Sequence, residues 1–342
     1  MNQRSSTAAP GFRALLVAQS LSAFNDNAFK TLTALLMVSS LPAGRAAGFI
    51  AAAGAVFILP FLLLSPAAGS VADRFSKKTI IVACKCVELA LMLLTLLALP
   101  GGSIPGLLAI LFCLGAHSAF LGPAKLAILP EILDDADLSS GNGLMQMMTF
   151  LGIVLGTVAA GLLLSAFRGS LQYACLVFAA AAAAGLAAAL RVTAVPAAAS
   201  AVPIRLNFVA QTWDNLSRIR LRRPIFLALL GSAYFWFLGA IFQMNILVYG
   251  RELMHLGERA LSGFQIAVAL GIGLGSYVAG RLSREKVELG LVPMGAVGLV
   301  LFPADLAFAA ASPVRAALDL FLAGMSAGVF VVPLDAFIQQ RT

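Results

Sequence analysis

Long stretches without charged residues limit what this chain can fold into more than any other feature of its sequence. Residues 104–121 and 171–190 contain no Asp, Glu, Lys or Arg, and about 20 such residues in a helix span the hydrocarbon core of a bilayer. Over all 342 residues, 61% are hydrophobic and 11% are charged, whereas soluble domains carry about 25% charged residues. A soluble protein of this composition would lack the polar residues to cover its surface, so we predict an all-α polytopic membrane protein.

Hydropathy divides the chain into ten predicted spans. They lie at residues 12–41, 46–71, 79–100, 105–126, 140–167, 170–190, 224–249, 260–282, 289–310 and 315–337. We assign residues 1–190 to an N-terminal six-span bundle, 191–223 to a cytoplasmic linker, and 224–342 to a partial C-terminal bundle of about four spans. The linker contains two prolines and ends in an arginine cluster. This pattern fits either a short amphipathic helix at the lipid surface or a plain solvated connector.

The positive charges are distributed unevenly between the two sides of the predicted membrane. Fifteen of the 23 Lys and Arg residues fall on one side, five on the other, and three within spans. Because cytoplasmic loops carry an excess of Lys and Arg, this distribution predicts that both ends of the chain are cytoplasmic. The formal net charge of +8 therefore reflects membrane topology, and we predict no nucleic-acid partner.

Three short sequence words recur in order at nearly one offset. Residues 22–24, 73–77 and 120–123 are echoed at 232–234, 280–284 and 330–333. Duplicated membrane units with a site at the repeat interface are typical of transporters. A complete second copy would need two further spans, so we expect this chain to be a fragment of a longer protein.

The segment between the second and third spans carries a recognisable signature. Gly69-Ser70-Val71-Ala72-Asp73-Arg74-Phe75-Ser76-Lys77-Lys78 matches the pattern G-x-x-x-D-R-x-x-[KR]-[KR] and resembles the loop motif of the major facilitator superfamily. We predict gating roles for Gly69, Asp73, Arg74 and Lys77. Gly69 would allow two helices to approach closely, Asp73 would pair with a cation or cap a helix of the other half, and the cations would hold the loop inside.

The first span carries a polar stripe, which is costly in a membrane. Its members are spaced by 3, 4, 4 and 3 residues: Gln19, Ser22, Asp26, Lys30 and Thr33. Asp26 lies near the middle of the span, where an unpaired charge costs several kcal/mol. Asp26 and Lys30 have the i,i+4 spacing of an ion pair, which leaves a purely structural role open. The neighbouring amides Asn25 and Asn27 favour a functional site instead.

Three segments show a closer resemblance. Residues 18–30, 122–131 and 330–341 resemble the first-, fourth- and tenth-span motifs of bacterial lysophospholipid transporters, and of the related transporter half fused to glycerophospholipid acyltransferases. This resemblance implies the major facilitator fold, a bacterial inner membrane, and flipping of lysophospholipids, chiefly lysophosphatidylethanolamine, to the inner leaflet for reacylation. It also implies an acyltransferase partner, fused or encoded nearby. The chain departs from the dedicated transporters by having Gln243 and Gln340 where they carry an Arg and a Glu.

The repeat offset suggests where the two parts of such a substrate bind. At an offset of 210, Asn25 and Asp26 correspond to Phe235 and Trp236, so one half offers polar groups where the other offers aromatic surface. We predict a substrate site made of Gln19, Asn25, Asp26, Lys30, Lys125, Phe235 and Trp236. The headgroup would contact the polar members and the acyl chain the aromatic ones. Snorkelling of Lys125 to the interface, and simple packing of the aromatics, remain alternatives.

Other polar residues receive a structural role or none. Lys85 and Glu88 are predicted to form a structural pair within the third span, and Gly152, Gly156 and Gly161 are predicted to allow close packing of the fifth. His117 and His255 have no partners at ligand spacing, and no role is assigned to them. We predict no metal, cofactor or enzymatic activity, because no metal box, phosphate loop or nucleophile–base set occurs.

Two other functions compete with a lysophospholipid transporter. A proton-coupled exporter of amphipathic drugs would also use an acid such as Asp26 in its first span. A membrane anchor that docks an acyltransferase would explain the spans but has no use for a polar stripe at mid-membrane depth. We therefore predict a transporter of lysophospholipids that works by alternating access.

Overall fold

The protein consists of long helices over nearly its whole length. The structure is a computed structural model that describes residues 7–40, 43–99, 101–167, 169–197, 213, 216–256, 258–283, 287–308 and 312–341. Within these ranges, each of the ten predicted spans overlaps one of ten helices. They are α1 (Pro10–Ser40), α2 (Ala43–Arg74), α3 (Lys77–Ala98), α4 (Ile104–Ala127), α5 (Leu138–Ala166), α6 (Gln172–Leu190), α7 (Arg223–Val248), α8 (Glu258–Leu282), α9 (Leu291–Asp305) and α10 (Pro313–Arg341).

Eight of these helices are long and apolar enough to cross a membrane, counted over the described residues. The other two are α1 and α9. Helix α1 has 31 residues, but its polar stripe lowers its mean hydropathy. Helix α9 has 15 residues, which at 1.5 Å per residue is about 22 Å, shorter than a hydrocarbon core of about 30 Å.

Local sequence signals explain where α4 begins, and prolines lie inside several helices. Helix α4 starts after Ser103, whose hydroxyl accepts a hydrogen bond from the Gly106 backbone N–H at 3.3 Å, with a proline in the first turn. Prolines also lie inside α2, α4, α9 and α10, which membrane helices tolerate because neighbouring groups satisfy the freed carbonyls.

One compact unit, the α1–α4 unit, comprises residues 8–132 and 155–215. Its core is formed by buried apolar side chains, most of them from α1, α3, α4 and α6, including Phe29, Met92, Leu111 and Phe178. The rings of Phe29 and Phe178 meet edge to face at 6.4 Å, an arrangement that aromatic pairs favour. Helix α1 contributes to this core and also carries buried polar side chains, among them Ser22 and Asn25.

The second compact unit, the α7–α10 unit, comprises residues 133–154 and 216–342, together with the first seven residues. Buried side chains from its four C-terminal helices form its core, among them Phe235, Ala279, Leu291 and Val331. Helix α5 is shared, because its residues up to 154 belong to this unit and those from 155 to the α1–α4 unit. The predicted limits 1–190, 191–223 and 224–342 stay predictions, and residues 198–212, 214 and 215 of the linker lie outside the described residues.

Glycines allow close helix crossings within each unit. A Cβ atom at Gly156 of α5 would overlap the carbonyl of Phe24 on α1, so the predicted close packing of the fifth span is confirmed at this position. At Gly161 and at Gly69, no described atom outside the glycine's own helix lies within 4 Å of the place a Cβ would take. This structure therefore shows no close helix approach at either glycine, and the gating role of Gly69 stays a prediction.

Candidate functional site

A buried carboxylate on α3 organises the polar interior of the α1–α4 unit. Glu88 is fully buried and accepts hydrogen bonds from Ser22 Oγ at 2.6 Å, Asn25 Nδ2 at 2.9 Å and Lys85 Nζ at 2.7 Å. The ammonium of Lys85 also donates to Ser22 Oγ at 2.8 Å. Cation and donors together offset the cost of removing the carboxylate from water. The predicted Lys85–Glu88 pair is confirmed, and it extends to two side chains of α1.

A glycine on α6 makes room for the lysine of this pair. A Cβ atom at Gly185 would lie 2.5 Å from Lys85 Nζ and 2.7 Å from its Cε. Such distances are shorter than real Cβ contacts, so any side chain at position 185 would displace the ammonium. The absence of a side chain there is what allows the charged end of Lys85 to be buried.

Asp26 points to α4 rather than along its own helix. Its Oδ2 accepts a hydrogen bond from Ser118 Oγ at 2.7 Å, and its buried Oδ1 has no hydrogen-bond partner among the described residues. The alternative of a purely structural Asp26–Lys30 ion pair finds no support, because the described residues form no such pair. Lys30 Nζ instead lies 5.4 Å from the centre of the Phe57 ring on α2, a cation–π contact. Lys30 still interacts electrostatically with the Asp26 carboxylate.

His117 connects the Asp26 contact to the Glu88 cluster. Its Nδ1 lies 3.3 Å from Ser118 Oγ, and its Nε2 lies 3.5 Å from Glu88 Oε2, with both side chains fully buried. The sequence indicated no role for His117, because its partners come from other helices and from its own neighbour. One signal was available: His117 and Ser118 are adjacent polar residues in the otherwise apolar 104–121 stretch.

The remaining polar residues of the predicted site also belong to this unit. Gln19 is buried on α1, one turn before Ser22. Lys125 lies in the last turn of α4, about two turns after Ser118, and interacts electrostatically with Asp26. Within the described ranges Lys125 forms no ion pair, so snorkelling and phosphate contact both stay open.

The predicted gating residues have different surroundings. Asp73 and Arg74 are exposed at the end of α2, and Arg74 lies 5.9 Å from the ring of Phe75. Lys77 is buried and pairs with Glu131 at 2.5 Å, in the short helix that follows α4. Lys77 therefore ties the start of α3 to the end of the fourth span, a contact that the loop signature did not reveal.

The two predicted aromatic contacts differ in exposure. Phe235 is 4% exposed and packs in the core of the α7–α10 unit, whereas Trp236 is 58% exposed. Their ring centres lie 5.2 Å apart, edge to face. Of the two, only Trp236 has a ring surface that remains accessible within its own unit.

The α7–α10 unit contains polar contacts that were not predicted. Asn142 on α5 and Gln339 on α10 exchange two amide hydrogen bonds of 2.8 and 2.9 Å. Next to Asn142, a Cβ atom at Gly143 would overlap the carbonyl of Ser276 on α8. On α7, the hydroxyl of Ser232 donates to Asp335 at 2.7 Å. Within the described part of the chain, no group of three or more His, Cys, Asp or Glu residues is placed to hold a metal ion.

Long apolar helices together with a buried set of charged side chains on α1, α3 and α4 are features of a polytopic transporter. Residues 15–342 match the family model of the Major Facilitator Superfamily. The lysophospholipid transporter LplT of Serratia proteamaculans is 30% identical over 331 residues, which cover 96% of this chain and 79% of that protein. LplT of Cronobacter sakazakii is 31% identical over 334 residues, covering 97% and 80%. The chain belongs to the lysophospholipid transporter family of the Major Facilitator Superfamily, a superfamily of transporters and not of enzymes.

Solved structures with low sequence identity share the fold. The human organic anion transporter MFSD10 superposes with a TM-score of 0.76 at 16% identity, covering 97% of this chain and 86% of that one. A bacterial homologue of the iron transporter ferroportin gives a TM-score of 0.64 at 16% identity, covering 97% and 84%. The predicted major facilitator fold is thereby confirmed, while its six-plus-four division stays a prediction.

Proposed function

We propose that the protein moves lysophospholipids to the inner leaflet of a bacterial inner membrane by alternating access, with both ends of the chain cytoplasmic. Its relatives in Serratia and Cronobacter are named lysophospholipid transporters. Delivery of a lysophospholipid to the inner leaflet would supply an acyltransferase that restores the second acyl chain. The relatives support the substrate class, and the polar centre of the α1–α4 unit supports the way it is bound.

The arrangement of charges around Asp26 carries this proposal. The headgroup of lysophosphatidylethanolamine combines an ammonium with a phosphate. Asp26 offers an unpartnered carboxylate oxygen to the ammonium. Lys30 and Lys125 both interact electrostatically with Asp26, and in the described ranges neither forms an ion pair. They offer positive charge to the phosphate, so the site matches a zwitterion.

The contact between α5 and α10 supports alternating access. In the predicted topology, the start of α5 and the end of α10 both lie on the cytoplasmic side. In the predicted domain division, Asn142 belongs to the first bundle and Gln339 to the second. Their paired amide hydrogen bonds would then hold the cytoplasmic side closed, and they would separate when the lipid is released.

An uptake experiment with an Asp26 variant tests the proposal. Cells that lack their own transporter should take up labelled lysophosphatidylethanolamine when they produce this protein. Asp26→Asn removes the charge but keeps the size. Loss of a charged hydrogen bond of about 1.5–3 kcal/mol should lower uptake about 10- to 100-fold, with expression and insertion unchanged.

A second carboxylate provides the matched control. Asp134 is exposed after the short helix that follows α4, so Asp134→Asn should take up lipid like the wild type. Wild-type uptake by Asp26→Asn would remove Asp26 from the mechanism. Export of an amphipathic dye without lysophospholipid uptake would instead favour the drug exporter. The absence of both activities would favour the membrane anchor.

A further inference from the structure

Residues 216–223, which we call the basic segment, lead into the first membrane-length helix of the α7–α10 unit. The segment contains four arginines and no acidic residue: Arg218, Arg220, Arg222 and Arg223. All four are exposed, and within the described part of the chain none of them forms an ion pair. Four guanidinium groups therefore share one short surface on which no described carboxylate neutralises them.

The charge of this segment exceeds that of two other basic clusters that the predicted topology places on the same side. Residues 73–78 contain three cations and one acid, as do residues 281–286, so each cluster has a net charge of +2. The basic segment has four cations and no acid within residues 218–223, which gives +4. This concentration of charge distinguishes it from the other cytoplasmic loops.

Exposed apolar side chains are interspersed among these arginines. Leu221, between two of them, is 86% exposed, and Leu216 is 39% exposed. A single exposed leucine is common on protein surfaces, but leucines interleaved with arginines are typical of segments that lie on a bilayer. There the leucines enter the acyl boundary, and the arginines extend their stems along the apolar surface to reach the headgroups. This arrangement favours the lipid surface over a solvated connector.

The position of the segment along the chain places its end at the level of the lipid headgroups. Arg222 directly precedes α7, and the apolar run of α7 begins at Ile225. Three residues at 1.5 Å each correspond to about 4.5 Å along a helix. The headgroup region on each side of a hydrocarbon core is about 5–8 Å thick. Arg222 and Arg223 therefore lie at the depth of the lipid phosphates.

We propose that the basic segment is a docking surface for anionic phospholipids of the leaflet in which α7 begins, the cytoplasmic leaflet in the predicted topology. A guanidinium group binds a phosphate through two parallel hydrogen bonds, and clustered arginines next to a membrane helix are attracted to a negatively charged leaflet. A net charge of +4 matches phosphatidylglycerol better than zwitterionic lipids, whose ammonium offsets their phosphate. The inference does not use the Asp26 site, so it is independent of the proposed function.

A tryptophan placed in the segment reports whether it lies on the lipid. The chain has two tryptophans, so Trp213→Phe and Trp236→Phe remove both, and Leu221→Trp adds one reporter. The protein is reconstituted into phosphatidylcholine vesicles with a rising fraction of phosphatidylglycerol. The emission should shift to shorter wavelength as this fraction rises, and brominated lipids should quench it. Salt should reverse most of the shift, because the Debye length falls from about 10 Å at 0.1 M to about 3 Å at 1 M.

Neutral variants test the role of the arginines. Arg218→Gln together with Arg220→Gln removes half of the charge and keeps the two arginines next to α7, which help to fix its orientation. Loss of two arginines near an anionic leaflet should weaken docking about 30-fold, so the same shift should need much more phosphatidylglycerol. The matched control, Arg281→Gln together with Arg284→Gln, removes as much charge from another basic cluster and should leave the titration nearly unchanged.

Two further variants control for the reporter and for folding. Val314 is 81% exposed on the predicted opposite side, so emission from Val314→Trp in the same background should not respond to phosphatidylglycerol. If Leu221→Trp does not fold, Leu216→Trp provides a second reporter in the segment. Asp26→Asn, combined with Leu221→Trp, should titrate like the reporter protein itself, because the docking surface is separate from the proposed headgroup site.

Each other outcome overturns the docking surface. A water-exposed emission at every lipid composition would show that the segment is a solvated connector, and a shift produced by polyglutamate but not by vesicles would assign it to an acidic protein. A lipid-buried emission that phosphatidylglycerol does not change would remove the preference for anionic lipids. An equal loss in the Arg281 and Arg284 variant would show that charge anywhere on this side has the same effect. None of these results would alter the proposed transport of lysophospholipids.

Discussion

Residue by residue, the interior of the α1–α4 unit depends on charges that compensate one another. Lys85 and Glu88 are both fully buried, and each is the countercharge of the other at 2.7 Å. Ser22 and Asn25 complete the hydrogen bonds of the carboxylate. A buried pair of this kind contributes little net stability, but removal of one partner leaves an uncompensated charge.

This balance predicts a specific pattern of stabilities. Lys85→Met and Glu88→Leu should each lower the free energy of unfolding by about 3–5 kcal/mol, because each leaves one charge buried without its partner. The double variant should recover most of the loss. Denaturation of the purified proteins in detergent would measure this. Arg315→Met, which breaks the exposed pair with Asp305, is the control and should change stability little.

A double variant as unstable as the sum of the two single variants would contradict this expectation. In that case the hydrogen bonds to Ser22 and Asn25, and not the compensation of charge, would determine stability at this site.

The spacing of residues along one helix predicted some of this site and not the rest. Lys85 and Glu88 are three residues apart, so their pairing follows from helical periodicity. Ser22 and Glu88 are 66 residues apart, and Ser118 and Asp26 are 92 apart. Such contacts depend on which helix faces lie against each other. Periodicity identified α1 as carrying a polar face, but it gave no information about the partner helix.

At the scale of elements, α5 contacts different helices along its length. Near its start, Asn142 bonds to α10 and Gly143 packs on α8, and further along Gly156 packs on α1. Close backbone packing at small residues is a usual way for membrane helices to associate. The amide pair is the polar part of this packing, and it is the part that we propose must open.

Cross-linking tests that opening. In a background without the four native cysteines, Asn142→Cys together with Gln339→Cys should cross-link under oxidising conditions and stop lysophospholipid uptake. Reduction should restore uptake, because the proposed cycle requires α5 and α10 to separate. Each single cysteine variant, treated with the same oxidant, is the control. Full uptake by the cross-linked protein would show that this contact stays closed throughout transport.

Helix boundaries show what hydropathy detects and what it misses. The predicted span 170–190 and helix α6, Gln172–Leu190, nearly coincide. The predicted span 289–310 is longer than α9, which ends at Asp305. Residues beyond Asp305 are still apolar, so hydropathy continues across the end of the helix. The chain leaves the helix where the Asp305 carboxylate binds Arg315, 2.7 Å away near the start of α10.

For the molecule as a whole, the positions that the repeat offset relates divide into polar ones in the first repeat and aromatic ones in the second. Asp26 accepts a hydrogen bond from Ser118 in the α1–α4 unit, whereas Trp236 has an exposed ring in the α7–α10 unit. The repeat offset related Asn25 and Asp26 to Phe235 and Trp236, but it did not indicate which of the two aromatic rings is exposed. Which of the two rings is exposed depends on packing in a core formed by four helices. A comparison of two sequence segments gives no information about that packing.

Chain-length dependence tests whether this division serves the two parts of the lipid. Each buried CH₂ of an acyl chain is worth about 0.8 kcal/mol. If Trp236 contacts the chain, Trp236→Ala should weaken uptake of long-chain lysophospholipids far more than of short-chain analogues. Lys30→Ala should weaken both alike, because it acts on the headgroup. Equal losses for both chain lengths in Trp236→Ala would assign Trp236 to packing alone.

The space that Gly185 leaves for Lys85 also constrains how this chain can change. A side chain at position 185 would occupy the place of the ammonium, so mutation to alanine requires the end of Lys85 to move from its place beside Glu88. Loss of Lys85 alone leaves Glu88 without its countercharge. Positions 85, 88 and 185 are therefore coupled in one direction: a residue larger than glycine at position 185 disturbs the pair, whereas joint replacement of Lys85 and Glu88 leaves Gly185 free to change.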